Sequence, residues 1–304
     1  MDWPSLDYDQ WSATCDTLHA HTQVLGKLAV ALAPPEPQLQ HTALRLTARG
    51  WETLPLPAPD GSGALVVTLD LRVHEALVEH SDGRTGRVPL TPDRAVGEVT
   101  GELLAKVREL GGDVELDLTP QEVWWSVPLD EDAEHKSYDR GQVAAYFAMA
   151  TRAALVLADY RAPFRGRSTP VNAWWGSFDL SVSLFSGEPA VPPARDFITR
   201  NAMTAQEVAV GWWPGSPKYG KAAFYAYAYP LADGFVAGGL QPAAAHWEED
   251  LGEYVLDWTD VVASPDPHAC ALSFAGSALQ QLCAVCGWDP ALAASARGNP
   301  PPIG

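Results

Sequence analysis

The sequence has few cysteines and few basic residues for its length. Its 304 residues include four cysteines and 20 lysines and arginines, against 38 aspartates and glutamates. Four thiols are too few for a disulfide framework in a chain of this size, so we expect reduced cysteines. A formal charge of −18 repels phosphate backbones and anionic lipid headgroups. Nucleic acids and membrane surfaces are therefore not expected as partners.

The sequence also shows no targeting signal and none of the common catalytic motifs. We find no uninterrupted apolar run approaching the roughly 18 residues that a spanning helix needs. The start, Met1 to Pro4, is acidic where a signal peptide would be basic, so we expect a cytoplasmic protein. Glycine-rich nucleotide loops, the G-x-S-x-G elbow and the H-E-x-x-H helix do not occur, which lowers the expectation of a nucleotide cofactor or a common hydrolase mechanism.

The hydrophobic content, in contrast, is that of a globular protein. It is 47% of the residues and includes 12 tryptophans, nine tyrosines and eight phenylalanines. In the first half, apolar residues recur at helical spacing from residue 8 to 33, where two prolines follow. Strand patterns come next at 41–50, 64–73, 76–80 and 84–90. A helix with Thr91 as N-cap and Pro92 in its first turn then runs to Gly111 and Gly112, and a short strand follows at 114–118.

The second half repeats this order of elements. A helix is predicted at 139–160, strands at 173–185, 207–213, 222–229 and 254–258, and a last helix at 265–286. We therefore predict an α+β protein of two similar halves packed into one body, each a helix, a four-stranded antiparallel sheet and a helix. The predicted bounds are 1–123 for the first half, 124–138 for a connector, 139–296 for the second half and 297–304 for a disordered tail. The oligomeric state stays open.

Six short blocks carry a resemblance to a known family. They are 17–27 (TLHAHTQVLGK), 46–50 (LTARG), 137–139 (SYD), 175–179 (WGSFD), 213–215 (WPG) and 223–230 (AFYAYAYP). In this order the chain resembles the bacterial domain-of-unknown-function family 5996. The resemblance implies a shared fold but supplies no activity, cofactor or catalytic residue. It also implies histidines near two positions that are here Asn172 or Ala173, and Gln206, so a metal site in relatives would be lost or altered in this chain.

Strand alternation indicates a candidate site in the second half. In the strand at 173–185, Phe178, Leu180, Val182 and Leu184 share one face, and Trp175 and Asp179 share the other with three serines. Glu207 and Trp213 have one parity in the next strand, and Tyr225, Tyr227 and Tyr229 have one parity in the strand after it. If these strands are neighbours, carboxylates and aromatic rings meet on one surface. The alternative is an ordinary solvated sheet face or an interface between the halves.

Several other residues have both a functional and a structural interpretation. His19 lies at the edge of the first helix's apolar stripe, where it is either structural or a proton-transfer group, and His21 is expected to point away from that stripe. Arg49 could hold a substrate carboxylate or an ion-pair partner, and Lys27 could be a surface residue. Asp139, with Gln142 three residues on, resembles a capping box, with His135 and Tyr138 in the same turn. Cys283 and Cys286 are expected to be buried thiols of a helix.

The leading hypothesis is a small-molecule enzyme without a redox cofactor or a metal. Asp179 or Glu207 would be the general base, Tyr225 or His19 the acid, and Trp175, Trp213, Tyr227 and Arg49 the ligand-binding residues. A non-catalytic protein that binds a metabolite or a partner on the same face is a second hypothesis. A metalloenzyme using His19 and Glu207 is a third.

Overall fold

The computed structural model describes residues 3–192, 197–232 and 234–293. Over these residues the fold is α+β, as predicted, with two six-stranded antiparallel sheets where four strands each were expected. The extra strands are short, two or three residues each in most cases, and alternation over so few residues leaves no recognisable pattern. The tail predicted at 297–304 lies outside the described residues.

The first half begins with a long helix and continues into the first sheet. Its elements are α1 (Tyr8–Leu32), a 3-10 helix (Pro37–Thr42), β1 (Arg45–Leu46), β2 (Gly50–Glu52), β3 (Leu56–Pro57), β4 (Ala64–Asp70), β5 (Glu75–His80), β6 (Thr85–Pro89) and α2 (Val96–Gly111).

The second half follows the same plan with more irregular insertions. Its elements are α3 (Arg140–Arg161), β7 (Asn172–Trp174), β8 (Asp179–Pro189), α4 (Phe197–Ala202), β9 (Ala205–Trp213), β10 (Ala223–Tyr229), a 3-10 helix (Val236–Gly238), β11 (His246–Glu248), β12 (Glu253–Asp257), α5 (Trp258–Ala263), α6 (Pro267–Cys286) and α7 (Pro290–Ala293).

The two sheets meet at their first strands. The first sheet has the order β1-β2-β4-β5-β6, with β3 beside β4, and the second has the order β11-β12-β10-β9-β8-β7. Leu44, next to β1, and Ala173 of β7 exchange both backbone hydrogen bonds, at 3.0 and 2.9 Å. Each meander therefore starts at this seam and runs outward from it.

One face of each sheet is covered by helices. α2 packs on β5 and β6, while α3 and α6 pack on β8, β9 and β10. α1 lies centrally, in contact with both α2 and α3, and a single hydrophobic cluster includes residues from both halves. By length and composition α3 and α6 could each cross a membrane; both pack against the second sheet, with 39% and 28% of their most apolar windows buried.

The central position of α1 corrects two expectations. His21, expected to point away from the core, is buried, and so is Lys27, whose ammonium lies 5.7 Å from the centroid of the Trp175 ring. Between Thr17 and Ala29 every residue of α1 is buried, so this stretch has no solvent face and its polar residues are buried as well. The mistake was to assume that a helix with one apolar stripe lies at the surface.

Four predicted helices or strands differ from those in the structure. The strand at 41–50 is a 3-10 helix followed by two short strands, and 114–118 forms no strand. α2 begins at Val96 with Ala95 as N-cap instead of Thr91. The strand at 173–185 is two strands, β7 and β8, separated by a turn at 175–178. Phe178 in that turn has a φ of 57°, a conformation that a phenylalanine rarely adopts and that sequence alternation does not predict.

Candidate functional site

The second sheet has a helix-covered face and an opposite face, which we call the outer face. Val182, Val208 and Phe224 belong to the main core on the helix side. Asp179, Glu207 and Tyr225 have the opposite parity and are nevertheless buried. The predicted alternation of β8, β9 and β10 is therefore confirmed, but the outer face is not an ordinary solvated surface.

Asp179 and Tyr225 are in direct contact on this face. The Tyr225 hydroxyl donates to Oδ2 of Asp179, and the Ser177 hydroxyl donates to Oδ1 at 2.5 Å. Tyr225 reaches β8 from β10 because its ring lies over Gly211 of the intervening strand β9. A Cβ atom at Gly211 would stand 2.3 Å from the Tyr225 hydroxyl oxygen, so a larger residue would displace this ring.

Aromatic rings adjoin this pair. The Trp213 ring centroid lies 5.1 Å from that of Tyr225, and the Tyr227 ring stacks on Tyr225 at 6.3 Å. Within the described part of the chain, Nε1 of Trp213 is buried and has no hydrogen-bond acceptor. A buried N–H group without a partner is costly, and a bound ligand could supply the missing acceptor.

Burial changes the acidity of three carboxyl groups on the outer face. Desolvation raises the pKa of Asp179 to about 6, although its hydrogen bonds from Ser177 and Tyr225 oppose the shift. Desolvation also raises the pKa of Glu207 to about 7, and that of Glu253 to about 7 with a further increase from the charge of Asp179. Carboxyl groups that titrate near neutral pH are common in acid–base catalytic sites.

Glu207 lies far from Asp179 on the same face. Glu207 pairs with Phe185 across β8 and β9, and Phe185 is six residues beyond Asp179 on β8. At about 3.3 Å per residue, this places the two backbone positions roughly 20 Å apart. Glu207 has its own neighbours there, Ser183 and Arg167, and both lower its pKa. The two carboxyl groups therefore do not act on one bond of a small ligand.

His19 and Trp175 are on the helix side instead. Nε2 of His19 lies 2.9 and 3.0 Å from the carbonyl oxygens of Trp175 and Gly176, so this nitrogen carries the proton. The imidazole stacks on Phe178, and burial lowers its pKa to about 4. Trp175 packs so closely on Gly26 of α1 that a Cβ atom there would lie 2.0 Å from the ring. Both residues anchor the turn at 175–178, which in turn positions Asp179.

Arg49 is on the first sheet, away from the Asp179 pair. Its Nη1 lies 3.1 Å from Oε2 of Glu79, so the ion-pair interpretation matches the geometry. Both residues line a groove of about 610 Å³ on the first sheet, together with His80 and Ser81. A smaller cavity of about 290 Å³ lies beside Gln206 and Tyr229 in the second half.

The remaining singled-out residues are structural or differ from expectation. Asp139 caps α3 by accepting from the Gln142 backbone N–H at 2.9 Å, but the Gln142 side chain donates to Gln10 instead of closing the capping box. Cys283 is half-buried and Cys286 is exposed, which corrects the expectation of two buried thiols. All four cysteines are free.

Potential metal ligands are dispersed in the described ranges. Residues 3–192, 197–232 and 234–293 contain no group of three or more His, Cys, Asp or Glu side chains placed to hold a metal ion. Asn172 donates to Gln40 and accepts from Arg45 at 2.7 Å, and Gln206 accepts from Ser186, so these positions hold ordinary hydrogen bonds.

Sequence reasoning missed two acidic neighbours of the site. Glu253 begins β12 one residue before the predicted strand, and extending the alternation back from Val255 would have placed it on the outer face. Glu122 belongs to the segment before the connector, and a Cβ atom at Gly176 would lie 2.0 Å from its Oε2 atom. Its charge raises the pKa of Tyr227, after desolvation and the charges of Glu207, Glu253 and Asp179. No local pattern signals such a loop contact.

The chain belongs to a family of unknown function, DUF5996, whose model matches residues 3–295. This confirms the resemblance carried by the six sequence blocks. Comparisons with curated proteins and with solved structures gave no match.

Proposed function

We propose that this chain is a small-molecule enzyme whose acid–base chemistry is carried out by Asp179 and Tyr225. The observation that carries the proposal is a buried carboxyl group with a pKa of about 6, hydrogen-bonded to a tyrosine and next to a tryptophan N–H that has no acceptor among the described residues. Stability alone does not require such an arrangement, since burying a carboxyl group opposes folding.

In this proposal Asp179 is the general base, and Tyr225, which is hydrogen-bonded to it, is the general acid. At neutral pH Asp179 is mostly ionised and can accept a proton from a bound ligand. Tyr225 donates to the carboxylate, and burial and the charge of Asp179 raise its pKa, so it stays protonated and can serve as the acid. Ser177 fixes the other carboxylate oxygen and so the direction of the acceptor lone pairs.

The surroundings define the class of ligand. Trp213 and Tyr227 offer flat apolar surfaces with polar edges, which suit a sugar ring or an aromatic compound. Glu253 and Asp179 raise the local negative potential, and Glu122 adds to it at Tyr227. The ligand is therefore neutral or cationic, since an anion would be repelled at short range.

Three broader proposals accompany this function. The repeated order of helix, meander and helix from a common seam supports an origin by internal duplication. The acidic composition and the free cysteines support a cytoplasmic protein, and the resemblance of the six sequence blocks to a bacterial family supports a bacterial source. Neither a membrane nor a nucleic acid is proposed as a partner.

A ligand screen tests the site. Thermal shift with a library of neutral and cationic metabolites should identify compounds that stabilise the wild type and lose most of this effect in Trp213→Phe. Turnover of such a compound should fall on the order of 10² or more in Asp179→Asn and clearly in Tyr225→Phe. Tyr229→Phe is a matched control, because Tyr229 lies on the same strand and face but donates to the Val191 carbonyl.

Two results would contradict the proposal in different ways. If Asp179→Asn binds the ligand and no conversion occurs even in the wild type, the outer face is a binding site without catalysis. If Tyr229→Phe is as damaging as Tyr225→Phe, the effect is on the sheet and not on the Asp179 pair.

A further inference from the structure

Two turns of the first sheet bring Ser62, His80 and Asp82 together. β4 and β5 pair with Leu65 opposite His80, so the turn before β4 lies beside the hairpin turn after β5. Ser81 donates its backbone N–H to the Ala64 carbonyl at 2.9 Å, which fixes the two turns to each other. Sheet register therefore brings Ser62 to His80, while Asp82 follows His80 in the same hairpin turn.

Their side chains form a continuous chain of contacts. Oγ of Ser62 lies 3.1 Å from Nε2 of His80, and Nδ1 of His80 lies 2.8 Å from Oδ1 of Asp82. The His80 side chain is 1% exposed, so its ring has little freedom to leave this position. A hydroxyl, an imidazole and a carboxylate in this order are the parts of an activated serine nucleophile.

The tautomer of His80 decides whether the serine can be activated. Two donors approach Nδ1, the Asp82 backbone N–H at 3.2 Å and Nη2 of Arg84 at 3.5 Å, and the Asp82 carboxylate lies 2.8 Å from the same atom. The carboxylate contact is the shortest of the three and is charge-assisted, so it outweighs the two longer contacts and places the proton on Nδ1. Nε2 is then the free acceptor that faces the Ser62 hydroxyl.

Separate side chains hold the two outer members. Asp60 accepts the Ser62 backbone N–H at 2.8 Å. Arg84 donates to Asp82 at 2.8 Å and is itself anchored on the Leu110 carbonyl at 2.9 Å. The Arg84 backbone N–H and the His80 side chain hold the pKa of Asp82 well below its usual range, so Asp82 is ionised. Hydrogen bonds of this kind, which fix the reacting side chains in place, are expected around a catalytic site.

Space for a substrate adjoins His80, the central member of the three residues. His80 and Ser81 line the groove of about 610 Å³ that also contains Arg49 and Glu79. This volume is within the range of small-molecule sites. Ser62 is exposed, so a reagent can reach its hydroxyl, and a Cβ atom at Gly63 would lie 2.4 Å from Oγ of Ser81 and 3.0 Å from Nε2 of His80, so a glycine is needed where the two turns pack together.

We propose that Ser62, His80 and Asp82 form a second active site, which hydrolyses small esters through a serine nucleophile. Ser62 Oγ attacks the acyl carbon while its proton moves to Nε2 of His80. The bond to the alcohol breaks, and the alcohol leaves with that proton. Water then adds to the acyl carbon, giving its proton to His80, and the bond to Ser62 breaks as the serine regains a proton. The product acid is released, and no oxidant or metal takes part.

A fluorophosphonate reagent tests the nucleophile directly in the full chain. The Ser62 oxygen displaces fluoride from phosphorus, and the adduct is located by peptide mass spectrometry. We expect labelling at Ser62 on the order of tenfold or more faster than at Ser81, its neighbour across the turns. Labelling should disappear in Ser62→Ala, and hydrolysis of short-chain p-nitrophenyl esters should disappear with it.

The dependence on the other two residues completes the test. Labelling should fall on the order of tenfold or more in both His80→Gln and Asp82→Asn. Asp82 is at the surface, so its variant should fold even if His80→Gln does not. Absence of label at Ser62, or labelling that is unchanged in folded Asp82→Asn, would overturn the proposal. Ser5→Ala is the control and should label at the wild-type rate, because Ser5 is exposed and lies outside the residues that line the groove.

Discussion

At the scale of single residues, burial dominates the behaviour of the outer-face carboxyl groups. Asp179 and Glu207 are each 5% exposed, and neither has a basic side chain as a direct ion-pair partner among the described contacts. Desolvation therefore raises their pKa values, because no ion-pair partner among the described contacts offsets the cost of burying the charged form.

The raised pKa of Glu207 makes a prediction about stability and pH. Glu207 has a pKa of about 7 in the folded chain and an ordinary value of 4.5 in the unfolded chain, so the folded state binds the proton more tightly. Stability from this group is full below pH 4.5 and is lost as the pH rises to about 7. The loss is on the order of 3 kcal/mol. Urea unfolding at pH 5 and pH 8 should thus show a smaller decline in Glu207→Gln than in the wild type.

The control for this measurement is Glu131→Gln, because Glu131 is exposed. Asp179 and Glu253 titrate in the same direction, so the Glu207 variant should keep part of the decline. An unchanged pH dependence in Glu207→Gln would mean that water reaches this carboxyl group and that its burial is incomplete.

At the scale of elements, the close contact between α1 and the turn at 175–178 is the main requirement. Gly26 is needed because the Trp175 ring occupies the place of a side chain. We predict that Gly26→Ala destabilises the fold by about 2 kcal/mol or more, since overpacking outweighs the gain in helix propensity. Chemical denaturation measures this difference.

A second helix glycine supplies the matched control. Gly101 in α2 is exposed, and a Cβ atom there meets nothing within 4 Å. Gly101→Ala should therefore stabilise the chain by about 0.5–1 kcal/mol. If both substitutions stabilise, Trp175 can move aside, and the turn that positions Asp179 is softer than its packing indicates.

The same elements explain how far sequence reasoning reached. Parity correctly separated Val182, Val208 and Phe224 from Asp179, Glu207 and Tyr225, because alternation follows directly from strand geometry. It failed at Trp175, because the turn ending in Phe178 interrupts the alternation. Distances between strands and loop contacts such as that of Glu122 depend on register and tertiary packing, which no local pattern contains.

At the scale of the whole molecule, the distribution of donor side chains predicts the metal content. The histidines and cysteines of the described residues are not grouped for coordination, and Nε2 of His19 is bonded to two carbonyl oxygens. Protein purified without added metal should contain no stoichiometric zinc, iron or copper by elemental analysis. About one equivalent that survives dialysis would contradict this and revive the metalloenzyme hypothesis.

The two halves should also unfold together, because they share backbone hydrogen bonds, a central helix and a core. Leu44 and Ala173 join the sheets, and the Trp258 indole N–H donates to the Pro4 carbonyl at 2.8 Å, which ties the last helices to the start of the chain. Separating the halves would expose α1, which packs on both. We therefore predict one calorimetric transition, with coincident changes in far-UV circular dichroism and tryptophan fluorescence.

A variant locates this cooperativity more sharply than the wild type alone. Gly26 is in the first half and Trp175 is in the second, so Gly26→Ala should lower the midpoint temperature of the single transition. If the halves were independent domains, two transitions would separate, and the substitution would shift one of them while leaving the other in place. A single transition that moves without broadening means that the seam and α1 couple the halves by more free energy than either half has alone.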